Sequence, residues 1–362
     1  MAEYLVRDVK LGLSATPESA YNQIKVLGSQ FLGFQMTGTG LLVPDVEKFD
    51  DTGKIGTGHE FPTEQRSGYV LPATMSISDE LNTSVASLLV RRALGGADLS
   101  SPTVVEAGVA YGHDFAMKDN SVSRQLPSSS IVYSLGGADF VWGGCVVDKF
   151  GISQTRSGNP TFTADLIASG INKRIRDISG PAFGTVPAPT KQNYMLGAET
   201  TLQFTDSGGV PLYVVTSDQR LKAVNIQLDN AHITDDRRPG DPRVLSTDMH
   251  KGWYVNRMLH GDRKVTADFT VAHDDNMREY FNAVNDTVVT GFIYTAKGYY
   301  IGASTTNQFQ FQITVPKCYF RTPKLQANGP DAEMNISIFP VEGSSFGLIT
   351  VQIQNEVSTT IV

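Results

Sequence analysis

A regular alternation of apolar and polar residues is the feature of this sequence that most restricts how the chain can fold. In the segment Lys222–Asp229, aliphatic residues alternate with polar ones. The same period of two recurs in Cys145–Thr155, Lys264–Val271 and Gln308–Val315. Successive side chains of a strand point to opposite faces, so each segment predicts a strand with one buried face and one face in water. The chain is therefore predicted to be mainly β.

Turn-forming residues separate the predicted strands. Cys145–Thr155 and Thr161–Ser169 flank Ser157-Gly158-Asn159-Pro160, which predicts a hairpin. Further strands are predicted at Ala73–Ser78, Met334–Ile338 and Leu348–Ile353. The 34 glycines and 17 prolines among 362 residues fit many short strands joined by turns.

Two segments have the pattern of short helices. Asp79–Leu94 carries apolar residues at helical spacing, and the carboxylate of Asp79 is predicted to cap its first turn, with Gly95-Gly96 ending it. A second short helix is predicted after Asp274-Asp275, bearing Met277, Tyr280, Phe281 and Val284. Each helix directly follows a predicted strand. This repeated pattern predicts a β domain with flanking short α-helices that is duplicated in tandem.

Composition divides the chain into four parts. Residues 1–67 are predicted to form an N-terminal segment with an exposed loop, because Asp50–Gly58 is rich in Gly, Asp, Lys and Thr. Three prolines lie in Pro181–Pro189, which predicts a linker over 181–192. The first β domain is then predicted over 68–180 and the second over 193–362.

No motif of catalysis or cofactor binding stands out. The six histidines lack the spacing of a metal site, and the two cysteines, Cys145 and Cys318, form no CxxC. Gly343–Gly347 matches the GxSxG pattern of serine hydrolases, but a predicted strand follows it and no histidine does. The chain is therefore predicted to be no enzyme and to bind no cofactor or metal. Its many carboxylates leave glycoside hydrolysis on a β scaffold as an open alternative.

The charge of the chain argues against a nucleic-acid clamp. The net charge at pH 7 is −7, whereas such a clamp needs a basic surface. No apolar run reaches the ~18 residues of a membrane span. Glu3, Arg7 and Asp8 fall where a signal peptide would need an apolar core. The chain is therefore expected to be synthesised in a cytoplasm and to have no membrane partner.

From about residue 58 onward, the sequence resembles phage tail tube proteins, of the two-domain kind found in long-tailed phages. The segments that carry the resemblance are Gly58–Phe61, Tyr69–Pro72, Leu94–Gly96, Gly143–Asp148, Ala164–Gly170, Arg220–Lys222, Asp235–Arg243 and Val315–Phe320. The resemblance implies a tail-tube-type β-sandwich or barrel fold. In such a fold the strands of neighbouring copies form one continuous inner barrel.

The resemblance also implies a structural role in the virion. Rings of the protein stack into the hollow tail tube through which the genome is ejected, after assembly in the host cytoplasm. A duplicated fold implies three copies in a pseudo-hexameric ring, and a single tube-forming half implies six; both remain open. The implied partners are further copies of the chain, the tail terminator, the tape measure protein, baseplate or initiator proteins, and transiting DNA that is not bound specifically.

A conduit for DNA should have no cationic wall, because a basic surface would hold the phosphates. Neutral and acidic residues on the polar faces of the predicted strands are therefore candidates for the surface of the lumen. The alternative is that these residues face the outer solvent. The candidates are Thr163, Asp165, Asn225, Gln227, Asp229, Thr266 and Asp268.

The loop Asp235–Arg243 contains charges of alternating sign. One interpretation is a docking loop that forms ion pairs between stacked rings, and the other is an ordinary solvated loop. The candidate inter-ring residues are Asp235, Asp236, Arg237, Arg238, Asp241 and Arg243. Residues 1–67 are a further candidate for contacts between rings.

Three other functions fit a β-rich chain without catalytic motifs. A baseplate component or an adhesin is one, although Trp142 and Trp253 both lie in or beside apolar segments and do not suggest glycan stacking. A carbohydrate-active enzyme on a β-sandwich would need a carboxylate pair in a cleft. The tube of a secretion system or contractile particle shares the fold class, but such proteins are usually shorter.

Overall fold

Strands dominate the structure, as the alternation of apolar and polar residues predicts. It is a computed structural model that describes residues 10–25, 31–34, 42, 45–50, 65–98, 102–118, 124–135, 138–156, 158–169, 172–174, 193–206, 208–216, 221–234, 255, 258–273, 278, 280, 282, 290–321, 323–328, 331–341 and 348–358. In chain order the elements are β1 (Lys10–Ser14), β2 (Phe31–Phe34), β3 (Asp45–Asp50), β4 (Gln65–Leu71), β5 (Ala73–Glu80), α1 (Val85–Leu94), β6 (Gly95–Asp98), β7 (Thr103–Glu106), β8 (Ala110–Met117), β9 (Ser129–Leu135), β10 (Ala138–Thr155), β11 (Thr161–Ala168), β12 (Asn172–Arg174), β13 (Met195–Thr205), β14 (Pro211–Thr216), β15 (Leu221–Asp229), β16 (Lys264–Ala272), β17 (Gly291–Tyr300), β18 (Gln308–Val315), β19 (Cys318–Phe320), β20 (Lys324–Asn328), β21 (Asp331–Pro340) and β22 (Thr350–Asn355).

The first sheet is antiparallel and combines strands from both halves of the chain. Its main part has the strand order β5, β11, β10, β15, β16 and β21, and both β19 and β20 pair with the far side of β21. The long strand β10 belongs to two parts of the sheet. Its C-terminal part pairs with β11 and β15, and its N-terminal part pairs with β9 and β12.

The long strand β10 changes partners at Gly143-Gly144. The register with β9 shifts between Trp142 and Cys145, and Gly144 has a φ of 61°, a conformation that favours glycine. The strands β1 and β2 continue the N-terminal part of the sheet beyond β9. A single strand thus joins the main part of the first sheet to the part that holds the N-terminal strands.

The second sheet packs against the first. Its strands have the order β14, β13, β17, β18, β22 and β8, with β6 and β7 on the far side of β8. The ring centroid of Phe269 in the first sheet lies 5.1 Å from that of Phe292 and 6.3 Å from that of Phe204 in the second. Tyr294 donates a hydrogen bond of 3.3 Å to Gln154 across the same interface. The facing sides of the two sheets therefore share one core.

Burial follows the sequence pattern strand by strand. In β15, β16 and β18 buried aliphatic or aromatic residues alternate with exposed or half-buried polar ones. The predicted hairpin is the pair β10–β11, and the other predicted strands correspond to β5, β21 and β22. Each buried aliphatic side chain contributes about 1.5–3 kcal/mol, so the register is strongly specified: a slip of one residue would expose the whole apolar face.

The helix α1 begins later than the sequence pattern predicts. Asp79 and Glu80 continue the strand β5, so the helix spans Val85–Leu94 instead of Asp79–Leu94. Asp79 is buried in the period of the strand and pairs with Phe162 across the sheet. The prediction that Asp79 caps the helix is therefore wrong. Gly95 ends the helix as predicted, in the left-handed conformation with a φ of 73°.

The N-cap position of α1 is Ser84, whose own side chain forms no capping hydrogen bond, and Asn82, two residues earlier, caps the helix instead. Its side-chain Oδ1 accepts hydrogen bonds from the backbone N–H groups of Ser84, Val85 and Ala86, at 3.1, 2.9 and 3.3 Å. An asparagine just before a helix is a strong cap, because its short side chain reaches the N–H groups that have no partner within the helix. Asn82 is itself fully buried, so the cap is isolated from water.

The second predicted helix and the predicted domains fall partly outside the described residues. Arg278, Tyr280 and Asn282 are helical, whereas Asp274-Asp275, Met277, Phe281 and Val284 lie outside. The predicted linker 181–192 also lies outside. Strands of the predicted domains 68–180 and 193–362 share both sheets, because β10 pairs with β15 and β8 pairs with β22. The domain boundaries and the tandem duplication stay predictions.

Candidate functional site

All seven residues predicted to line a lumen lie on one face of the first sheet. Two are on β11, three on β15 and two on β16: Thr163, Asp165, Asn225, Gln227, Asp229, Thr266 and Asp268. Each one alternates with buried residues of its strand, and all seven are exposed or half-buried. We call this surface, from β5 to β20, the polar face. That it faces a lumen stays a prediction.

The register of the strands arranges the polar face in rows. One row runs across four strands as Asp165, Lys149, Asp229 and Lys264, so that acidic and basic side chains alternate. Lys149 Nζ lies 4.0 Å from Asp229 Oδ2, with 41% and 34% of the two side chains exposed. A pair this exposed stabilises the fold by about 0–1 kcal/mol at most. Its main effect is to balance the charge of the surface.

Away from the exposed Tyr319 and Phe339 at the β19 edge, short hydroxyl and amide side chains fill much of the polar face and bind one another. The hydroxyl groups of Ser153 and Thr161 are 2.9 Å apart across β10 and β11. At the other end, Thr270 donates to Asn335 Oδ1 at 2.9 Å, and Asn335 Nδ2 donates to Gln326 Oε1 at 3.0 Å. These pairs hold the side chains down on the sheet and leave few groups projecting from it.

A shallow depression lies at the middle of the polar face. Its volume is about 190 Å³, and its lining residues are Lys149, Gly151, Ile152, Ser153, Thr163, Asp165, Asn225 and Gln227. It exists because Gly151 carries no side chain between Thr163 and Gln227. Typical small-molecule sites have ~300–1,000 Å³. The depression is therefore a feature of the surface, too small and open to enclose a substrate.

A bulge in β10 sets which residues of this strand reach the polar face. The register between β10 and β11 shifts at Asp148, whose Oδ1 accepts hydrogen bonds from the backbone N–H and the Nδ1 of His232, at 2.8 and 3.0 Å. Burial raises the pKa of Asp148, but these hydrogen bonds and the nearby histidine and lysine outweigh it and lower the pKa below its usual value. After the bulge, Lys149, Gly151 and Ser153 share the polar face with the predicted residues.

These three residues of β10 are not among the candidates predicted from the sequence. The signal that could have found them is the period of two in Cys145–Thr155, which places Gly151 and Ser153 on the same face of one strand. Lys149 belongs to the same period, but the bulge at Asp148 breaks the alternation before it, so that Cys145 and Val147 are buried in the core instead of lying on this face.

The carboxylates of the polar face do not have the setting of a glycosidase. Asp165 and Asp229 are separated by β10, about 10 Å at ~4.8 Å per strand, and Lys149 lies between them. Both carboxylates lie on an open surface, whereas the paired carboxylates of a glycosidase flank a sugar that is bound in a cleft. Within the described ranges, no group of three or more His, Cys, Asp or Glu residues is placed to hold a metal ion.

The candidate inter-ring residues Asp235, Asp236, Arg237, Arg238, Asp241 and Arg243 lie outside the described residues. Among the described helices, none has the length and apolar character to cross a membrane. Comparison with known proteins finds no matching protein-family model and no matching curated protein.

Proposed function

We propose that this chain is the structural protein of a phage tail tube. Its copies join into rings that stack into a hollow tube, the conduit for genome ejection in the virion tail. The observation that carries the proposal is the polar face: one continuous antiparallel surface, contributed by both halves of the chain, with no excess of basic residues. The resemblance of the sequence to tail tube proteins supports the same role.

The charge of the polar face suits a passage for DNA. Its basic residues are Lys149, Lys264, Lys324 and, at the β19 edge, Arg321, and the first two lie opposite a carboxylate in the register of the sheet. Its acidic residues are Glu80, Asp165, Asp229, Asp268 and Glu333. A surface without a net positive charge does not gain the counterion release that drives DNA binding. DNA can therefore slide past without being held.

The width of the sheet favours a ring of three copies. The main part of the first sheet has seven strand positions, with β19 and β20 sharing the last. Three copies give 21 strands, which at ~4.8 Å spacing and ~40° tilt close into a barrel about 42 Å across. Side chains reduce the open width to about 30 Å, enough for one DNA duplex. Six copies would double the diameter.

In this proposal the tail terminator, the tape measure protein and the baseplate or initiator proteins bind at the ends and inside of the tube. The virion is assembled in the host cytoplasm. The seven residues first identified from the sequence line the lumen together with Lys149, Gly151 and Ser153.

Negative-stain electron microscopy of the purified chain, from dilute to concentrated, tests the proposal. The expected result is hollow rings or tubes of uniform width, with three-fold symmetry in class averages and a wall of constant thickness. Compact single particles at every concentration, including after addition of tube fragments from lysed virions as seeds, would refute it.

A further inference from the structure

The two ends of the first sheet carry charges of opposite sign. The strand β5 forms one end; its exposed charged residue is Glu80, because Asp79 is buried, and it contains no lysine or arginine. The segment Lys317–Asn328, which contains β19 and β20, forms the other end and has three basic residues but no acidic one. Its basic residues are Lys317, Arg321 and Lys324. No described strand pairs with the outer side of β5, β19 or β20.

The same rows of the sheet connect the two ends. One row begins at Glu80 and continues through Thr161, Ser153, Asn225, Asp268 and Ser337. The row ends at Arg321, whose backbone N–H donates to the carbonyl of Ser337 at 3.0 Å. A second copy placed beside the first, continuing the rows without a shift, therefore brings Glu80 next to Arg321.

The basic end also exposes large apolar side chains. Tyr319 and Phe339 face each other across β19 and β21 and are 67% and 38% exposed. The guanidinium carbon of Arg321 lies 4.6 Å from the ring centroid of Phe339. Leu325 is 56% exposed, although its neighbour across the sheet, Met334, is buried. An uncovered apolar strand edge is a site of strand pairing with another chain.

We infer that copies of this chain join head to tail, with the acidic end of the first sheet, β5, paired to the basic end, β19–β20, of the next copy. The inference deepens the proposed function, on which it rests for the closure of the ring. Glu80 and Arg321 form the ion pair of the contact, and the neighbouring copy covers Tyr319 and Leu325. The contact is heterologous, because each copy uses two different surfaces, and it closes into a ring instead of a dimer.

The strand directions also define the geometry of the contact. Neighbouring strands of the first sheet are antiparallel across seven positions, so the first and the last run in the same direction. The pairing of β5 with β19–β20 is therefore parallel. The ring consists of antiparallel blocks separated by parallel contacts, one per copy.

Disulfide cross-linking of two single variants tests the direction of the contact. Ser78→Cys lies on β5 two residues before Glu80, and Tyr319→Cys lies on β19 two residues before Arg321, so the parallel contact that joins Glu80 to Arg321 places the two cysteines side by side. The native cysteines, Cys145 and Cys318, are buried and stay in all samples. After mild oxidation, the mixture of the two variants should give covalent dimers, and each variant alone should not. The matched control replaces Ser78→Cys by Asn225→Cys, an exposed position in the middle of the same face, and should give at least tenfold less dimer.

Charge reversal tests the ion pair independently. Glu80→Arg and Arg321→Glu should each raise the concentration needed for ring formation at least tenfold. The double variant, with both changes in one chain, should form rings at a concentration close to that of the native chain. Lys264→Glu, a reversal on the same face but away from both ends, should have less effect than either.

The combined results separate this inference from the tube proposal. Rings in micrographs without the mixed cross-link would overturn the assignment of the two ends but support the tube proposal. Mixed cross-links in chains that never close into rings would support the assigned ends and contradict the tube. Cross-links within a single variant would show a two-fold contact and overturn the head-to-tail arrangement, and absence of both rings and cross-links at every concentration would overturn both.

Discussion

Substitution of Asn82 by alanine should destabilise the fold strongly, because this one side chain caps α1. Asn82 Oδ1 accepts three backbone N–H groups, those of Ser84, Val85 and Ala86. Loss of a cap costs about 1 kcal/mol and up to ~2. Here two of the N–H groups are buried in the helix, and leaving a buried donor unpaired costs a further 1–3 kcal/mol or so. We expect Asn82→Ala to lower the free energy of unfolding by about 2–4 kcal/mol.

The matched control is Asp79→Asn, at the position that the sequence pattern assigns as the cap. Burial raises the pKa of Asp79, so the charged form is disfavoured in the folded state. A carboxyl group with a raised folded pKa stabilises the fold most below its unfolded pKa, and this contribution is lost as the pH rises through the folded value. At pH 7 the neutral asparagine should therefore be tolerated at least as well as the native aspartate.

Urea unfolding followed by circular dichroism at pH 7 measures both variants. The midpoint of Asn82→Ala should fall clearly, with an unchanged slope, while that of Asp79→Asn stays or rises. If Asp79→Asn destabilised the chain more than Asn82→Ala, the assignment of the cap would be wrong. Asn82→Asp is a useful third variant, because its carboxylate keeps the acceptor oxygen and should restore part of the lost stability.

Three further predictions follow from other parts of the structure. Burial raises the pKa of Glu18, although it accepts hydrogen bonds from Ser128, Ser130, Gly144 and Asn22. The stability that Glu18 contributes is therefore largest below pH 4.5 and falls as the pH rises through its folded pKa. Glu18→Gln should flatten this part of the curve of unfolding free energy against pH. Gly144→Ala should lower the free energy of unfolding, measured by thermal unfolding, by at least about 2 kcal/mol more than Gly108→Ala does. Both glycines have a positive φ, but only at Gly144 would an added Cβ overlap with Asn22 and Ser169. The double variant Asp165→Lys, Asp229→Lys should make the polar face basic and bind DNA with an affinity that falls steeply with salt. The control double variant Asp114→Lys, Asp206→Lys makes the same change of charge away from that face and should not bind DNA. Equal retention of DNA by the two double variants in filter binding would contradict the assignment of the polar face.

The strands could be predicted from the sequence because their apolar period is local. In β15 and β16 each apolar residue of the pattern is buried, and the seven candidate residues share one face for the same reason. The start of α1 could not be predicted in this way. Asp79 fits both an extension of the strand and a helix cap, and the buried pairing of β5 with β11 decides between them.

The arrangement of the strands depends on contacts that periodicity does not contain. Nothing in the alternation of β10 indicates that it pairs with β15 of the other half of the chain, or that a bulge at Asp148 turns Lys149 toward Asp165 and Asp229. Register results from loop lengths, bulges and the packing of the two sheets together. Single residues of a face are therefore predictable, whereas the rows that they form across strands are not.

The pairing of β8 with β22 has a consequence for folding during translation. Ala116 lies opposite Thr350, and β8 meets β18 only through this late strand. At ~5–20 residues per second, translation needs roughly 12–50 s to pass from one strand to the other. Throughout that interval the nascent chain has an open second sheet. A chain built in this way completes its second sheet only near the end of its synthesis. Under the proposed function, this separates translation from polymerisation in time and keeps incomplete chains out of the tube.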